Sequence, residues 1–264
     1  MTAKTTKSAP RRVATDPRIS RRRRAVSRSR RKRILIRLAI VAALGGLVWV
    51  AFFSPVLLVR DIEVVGSEHM TPDEVAAAAA IGADQNLLLL ATEGVESRVE
   101  SLPWVADASV ERMLPGSIRI RIEERTPAMI LSLGAARWTI DATGHVLTSG
   151  KAARGLPVFA NPQLEEVEPG KALSTPESTG ALSAWRSLPE ELRDQVTTLF
   201  APTVERVSFA LADGTLIRYG AAEDLEAKNE VLTTIIERLA GEGTTVEYID
   251  VRVPTAPALG PERH

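Results

Sequence analysis

Residues 38–59 read LAIVAALGGLVWVAFFSPVLLV, with no ionisable side chain between Arg37 and Arg60. A helix rises about 1.5 Å per residue, so a run of this length crosses a hydrocarbon core about 30 Å thick. The run is apolar on every face, unlike the one-sided helix of a soluble core. It reads as a membrane-spanning helix.

The flanks give that helix a direction. Residues 1–37 hold fifteen Lys and Arg against one acid, Asp16. Cationic flanks stay on the cytoplasmic side, so the expected topology is N-terminus inside and about two hundred residues outside. The chain has 33 basic and 33 acidic residues, which leaves eighteen basic against thirty-two acidic after position 37. The zero net charge therefore conceals a basic tail and an acidic ectodomain. There is no cysteine, so neither disulfides nor thiolate metal sites enter the reading.

Two processing alternatives fit less well than an uncleaved signal-anchor. A cleaved signal peptide has a shorter apolar region followed by a small-x-small site, and Trp49–Pro55 offers no convincing one. Ser29-Arg30-Arg31-Lys32 resembles the opening of a twin-arginine signal, but Arg33 stands where that pattern turns apolar. Residues 1–33 are rich in Arg, Ser, Thr and Ala, and a disordered cytoplasmic tail is expected there. Such a tail attracts anionic lipid. No aromatic side chain interleaves its arginines for base stacking, which argues against nucleic acid.

After Arg60 the pattern becomes compact. Asp61–Val65 alternates and stops at Gly66. Thr71-Pro72-Asp73-Glu74 opens a helix with a capping-box spacing and proline at its first position. A second helix is expected over about 93–101, a strand over Ala106–Arg112, a turn at Leu114-Pro115-Gly116 and a strand over Ser117–Glu124. In that last strand Ile118, Ile120 and Ile122 alternate with Arg119, Arg121 and Glu123, so one sheet face is buried and one is wet. The order is β-α-α-β-β, a small sheet with two helices on one face.

These residues resemble the FtsQ/DivIB family of bacterial cell-division proteins, and residues 60–127 resemble its POTRA domain. The likeness rests on Val64-Val65-Gly66, Leu102-Pro103-Trp104-Val105, Val110-Glu111-Arg112 with Pro115, and the run Ile120–Ala128. Residues 128–256 read as a second, mostly β domain, which the resemblance equates with the family's β-domain. Short strands are expected at Met129–Leu133, Arg137–Ile140, His145–Leu147 and Leu156–Phe159, and helices start at Thr175-Pro176 and Pro189. Asp213-Gly214 between Val207–Leu211 and Thr215–Tyr219 is a strong hairpin signal. A helix over about 224–240 and a last strand over Thr245–Val253 follow, and residues 257–264 are expected to be unstructured. The fold class is thus α+β: one transmembrane helix over residues 34–59, a POTRA domain, and a mostly antiparallel β-domain with flanking helices.

Catalytic constellations are missing from the sequence. His69, His145 and His264 have no paired spacing, and neither H-E-x-x-H nor G-x-S-x-G occurs. Gly144 to Gly150-Lys151 imitates a phosphate loop, but its glycines are one residue too far apart and Ala152 replaces the hydroxyl residue. The ectodomain carboxylates are scattered, so a cell-wall glycosidase is the weaker alternative. No catalytic residue, cofactor, metal or small-molecule substrate is assigned. Trp104 and Trp185 are expected in the cores. Ala39/Ala43 and Ala42/Gly46 are small-x3-small pairs, which either pack a partner helix or arise by chance in an Ala-rich span.

The resemblance implies a non-enzymatic scaffold at the division septum that binds FtsB and FtsL and links early ring proteins with septal peptidoglycan synthesis. A competing reading is a POTRA-bearing anchor that chaperones exported polypeptides. For the partner site, Thr245–Val253 is expected at a sheet edge, where unpaired backbone groups accept another strand. Ile249, Val251 and Val253 alternate with Tyr248, Asp250 and Arg252. The resemblance places Tyr248, Ile249, Val251, Arg252 and Val253 at this site, with Arg206 adding a charge contact.

A carboxylate near mid-span tests the topology. Val48→Asp should cost about 2.5–3.5 kcal/mol on insertion scales, whereas Arg12→Gln should leave insertion unchanged. Wild-type membrane fractionation of Val48→Asp would place the span elsewhere.

Overall fold

The computed structural model describes residues 17–82, 84–150 and 155–263. The first sixteen residues of the expected disordered tail, Lys151 and Ala152 of the phosphate-loop imitation, and His264 lie outside them. Helix α1 runs from Pro17 to Phe53, 37 residues and about 55 Å at the helical rise. It therefore starts well before the expected residue 34, and residues 17–33 are helical, not disordered. Arg, Lys and Ala are good helix formers, Pro17 fits a first helical position, and the apolar half supplies the nucleus a basic segment lacks. Lys32–Val50 is long and apolar enough to cross a membrane, and none of it is buried by the rest of the chain.

The span also ends earlier than its apolar run. Pro55 cannot continue a helix and biases Ser54 away from it, so a single 3-10 turn, Pro55–Leu57, follows. Val59, expected in the membrane, is only 4% exposed and packs into the first domain's core.

That domain contains β1 (Asp61–Val65), α2 (Pro72–Ala79), α3 (Thr92–Glu100), β2 (Val105–Met113) and β3 (Ser117–Glu124). Its sheet order is β1-β3-β2, with β1 parallel and β2 antiparallel to β3. The expected capping box forms: Thr71 Oγ accepts the Glu74 N–H at 3.3 Å and the Glu74 carboxylate accepts the Thr71 N–H at 2.8 Å. Gly66 has φ +93°, and a Cβ there would collide with the Ile122 carbonyl. Ile118, Ile120 and Ile122 face Val75, Ala79, Val95 and Val99 of the helices. Trp104 departs from expectation. It is half-buried, and it stacks on His69 at 4.2 Å rather than entering the core.

The second domain is one nine-stranded sheet with helices on one face. Its elements are β4 (Pro127–Leu133), β5 (Ala136–Asp141), β6 (Val146–Ser149), β7 (Val158–Ala160), α4 (Pro176–Ser187), α5 (Glu190–Arg193), β8 (Val196–Phe200), β9 (Ser208–Leu211), β10 (Leu216–Arg218), α6 (Leu225–Glu242), β11 (Tyr248–Asp250) and β12 (Ala258–Leu259). The order is β12-β11-β10-β9-β8-β7-β4-β5-β6. Pairing is antiparallel except at β10–β11, β4–β7 and β7–β8. Met129, Leu131, Phe159, Leu199, Phe209, Ile217 and Ile249 point into the core against Leu182 and Trp185 of α4 and Leu232, Ile235 and Leu239 of α6. Lys228 is buried too; its Nζ donates to the Ala221 carbonyl at 2.7 Å and lies over the Tyr219 ring. Residues 258–263, expected to be unstructured, are paired to the sheet.

An ion pair joins the domains. Arg125, in the connection after β3, donates to Asp141 Oδ2 at 2.9 Å, with side-chain exposures of 16% and 8%. The other Asp141 oxygen accepts the Thr143 and His145 N–H groups and the Thr143 hydroxyl, forming the turn before β6. Burial alone would raise the Asp141 pKa, but these donors outweigh it and hold the carboxyl below its ordinary value.

Two predictions follow from this packing. Ile120→Ala should destabilise the small domain by about 2–5 kcal/mol, while Arg121→Ala on the wet face should be nearly neutral; equal melting losses would contradict the strand phase. Because the folded pKa of Asp141 is depressed, its contribution to stability is present above the ordinary aspartate value and is lost as pH falls through the folded one. Asp141→Ala should therefore cost about 3 kcal/mol at neutral pH and much less at acid pH, read from melting profiles across pH.

Candidate functional site

The site begins with a hairpin. Gly214 takes φ +88°, and Asp213 Oδ1 accepts the Thr215 N–H at 2.8 Å, so the chain reverses tightly between β9 and β10. The period of two then divides β10. Ile217 enters the core, while Leu216 and Arg218 face the side of the sheet that carries no helix. Thr198 and Phe200 of β8 and Ser208 and Ala210 of β9 share that face, which forms an open groove of about 630 Å³. Phe200 is 41% exposed on its floor.

Among the described residues, three guanidinium groups border the groove, from Arg206, Arg218 and Arg252, against one carboxylate, Glu205. Arg218 lies over the Tyr248 ring at 3.8 Å, an arrangement that fixes a long side chain by cation–π attraction. Arg252 is held by Asp250: its Nε lies 3.0 and 3.1 Å from the two carboxylate oxygens and its Nη2 2.7 Å from Oδ2. The Arg252 hydrogen bond is the main reason that the Asp250 pKa lies below its ordinary value, against the opposing effect of burial. The pair is solvent-facing on the arginine side, with Arg252 59% exposed, so it positions the guanidinium more than it stabilises the fold.

The six sequence-derived residues divide into two sets. Arg206 and Arg252 line the groove, Tyr248 is half-buried beside it under Arg218, and Val253 is exposed next to Arg252. Ile249 and Val251 instead point into the core, with no more than 1% exposure, so their side chains are out of reach from the surface. Arg206 precedes β9, which starts at Ser208 rather than Val207. Arg218 was missed by the sequence reading, although its position two residues from Leu216 on the wet side of the hairpin carried the signal.

The expected edge is corrected. The strand is Tyr248–Asp250 rather than Thr245–Val253, and it is not the edge. Residues 258–263 turn back and pair antiparallel to it, with Ile249 opposite Leu259 and Asp250 opposite Ala258. Further pairing joins Val246 to Glu262, Glu247 N to Pro261 O at 2.9 Å, and Arg263 N to Thr245 O at 2.9 Å. The sequence hid this because β12 is two residues long, lacks alternation and lies between prolines.

A model of the FtsQ-type POTRA domain matches residues 57–125, reaching upstream of Arg60 to include buried Val59. Cell division protein FtsQ of Streptomyces collinus is 29% identical over 243 residues, covering 88% of this chain and 89% of that protein. Its counterpart in Mycolicibacterium smegmatis is 28% identical over 224 residues, covering 84% of this chain and 64% of that longer protein. The major extracytoplasmic domain of DivIB from Geobacillus stearothermophilus is similar at 16% identity, over 39% of this chain and 87% of that one, with a TM-score of 0.28. The chain thus contains an FtsQ-type POTRA domain and is similar, through both of its domains, to the bacterial cell-division proteins FtsQ.

Proposed function

We propose that the chain is a non-enzymatic, single-pass scaffold of the division machinery whose β-domain docks FtsB, together with FtsL, at the β8–β11 groove and its neighbouring sheet edge. The observation that supports this reading is the arginine-bordered groove beside β11, the strand whose far side carries only the two-residue β12. A strand gains main-chain hydrogen bonds at an edge and side-chain selectivity from the adjoining surface. Arg206, Arg218 and Arg252 select acidic side chains on the incoming segment. Phe200 and Leu216, both exposed, supply apolar contact.

The rest of the chain suits that role. The fifteen basic residues before Leu38 argue for a cytoplasmic N-terminus lying against anionic lipid, which puts both folded domains outside. The POTRA domain then lies next to the membrane and offers a second surface for other division proteins at the septum. No catalytic residue, cofactor or small-molecule substrate forms part of this function.

The test uses the full chain in detergent or nanodiscs with the extracytoplasmic segment of FtsB. Arg252→Glu combined with Val253→Lys should weaken binding at least about thirtyfold, the scale of a desolvated arginine anchor. Melting should match the parent, because both side chains are exposed. A variant that melts normally and binds FtsB at parental affinity would remove this site.

A further inference from the structure

The edge beside the groove is already filled by the chain itself. Pairing continues from Asp250 to Thr245 along one side and from Ala258 to Arg263 along the other. Gly260 N donates to Tyr248 O at 2.8 Å, and a Cβ at Gly260 would come within 2.6 Å of the Tyr248 ring, so only glycine allows the approach. Arg263 closes the far end. Its guanidinium donates to the carbonyls of Asp213 at 3.0 Å and Gly214 at 2.5 Å, capping the β9–β10 turn.

The segment is held mainly by its backbone and this arginine. Ala258 and Leu259 are both exposed, whereas the Ile249 side chain opposite is 1% exposed. Any extended chain reproduces main-chain bonds, so an occupant with no buried apolar anchor is exchangeable for one that has contacts in the groove. Pro261, whose carbonyl accepts the Glu247 N–H, has no N–H to return to that strand, so the occupying backbone makes fewer bonds than another extended chain would.

We propose that residues 258–263 are a built-in strand that closes the docking edge, and that a partner's strand pairs with Thr245–Asp250 only by displacing it. This rests on the docking reading of the groove. The displaceable strand lowers the apparent affinity by the fraction of time the edge is open: closure nine-tenths of the time conceals about a tenfold gain. The acidic partner segment regains that loss from the guanidinium groups beside the edge, which selects for segments that make both kinds of contact.

The chain has no cysteine, so one engineered pair reports without ambiguity. Val246 and Glu262 are directly paired, and Val246→Cys with Glu262→Cys, oxidised, pins the strand in place. With the full chain and the FtsB extracytoplasmic segment as probe, the oxidised form should bind at least about tenfold more weakly and recover when reduced. A chain lacking residues 257–264 should bind about tenfold more tightly. Arg263→Ala, a milder change that keeps the strand, should move affinity in the same direction. Parental affinity in the oxidised form, or weaker binding by a normally melting shortened chain, would overturn displacement. If at the same time Arg252→Glu with Val253→Lys loses binding, the docking site stands and only displacement falls; if that variant also binds normally, both fall.

Discussion

An open β-sheet has two ends, and at each end a row of backbone N–H and C=O groups must be paired, wetted or covered. The nine-stranded sheet meets this requirement differently at its two ends. Beyond β6, the loop around Gly170–Leu173 bonds to Val146 in both directions, and Leu173 is buried in the core. That seal is anchored by a side chain. Beyond β11, the cover is a strand of two residues whose side chains remain in solvent. The same covering requirement therefore yields one permanent rim and one rim closed mostly by main-chain bonds, and the arginine-bordered groove lies beside the second.

Charge gives that location further meaning. After position 37 acids outnumber bases by thirty-two to eighteen, so the folded part of the chain is negative as a whole. Three guanidinium groups around one groove stand against that background. Two are held in place, Arg218 by the Tyr248 ring and Arg252 by the Asp250 carboxylate. Fixed in this way, they lose less freedom when they meet an acidic side chain than free arginines would.

Much of the fold was legible because local signals agreed with one another. The alternation of Ile118, Ile120 and Ile122 set the buried face of the small sheet, the Thr71–Glu74 spacing set the start of α2, and Asp213-Gly214 set the β9–β10 reversal. The failures have a common cause, because each of these segments is fixed by what it packs or pairs with and not by a period of its own. Val196–Phe200 carries no clean period and becomes β8 by pairing with Val158–Ala160 and with β9. Residues 257–263 contain two prolines and read as a tail, but the row of groups on Tyr248–Asp250 recruits them. Val59 closes an apolar run that looks membranous, yet Pro55 has already broken the helix and the small domain's core takes the residue in. The candidate site was half legible: Arg206 and Arg252 were found, while Arg218 was passed over although it lies on the wet side of the hairpin, and its place over the Tyr248 ring is a tertiary contact.

The connection between the membrane helix and the small domain has a mechanical consequence. Between Phe53 and Asp61 the backbone is pinned at several points: Leu57 O accepts the Leu87 N–H, Val59 N donates to Gln85 O, Arg60 N donates to Gly116 O, and the Arg60 guanidinium returns to Pro55 O. Such a joint has no free swivel. A rotation of the helix about its own axis would therefore pass to the domain and not be taken up in a loose tether.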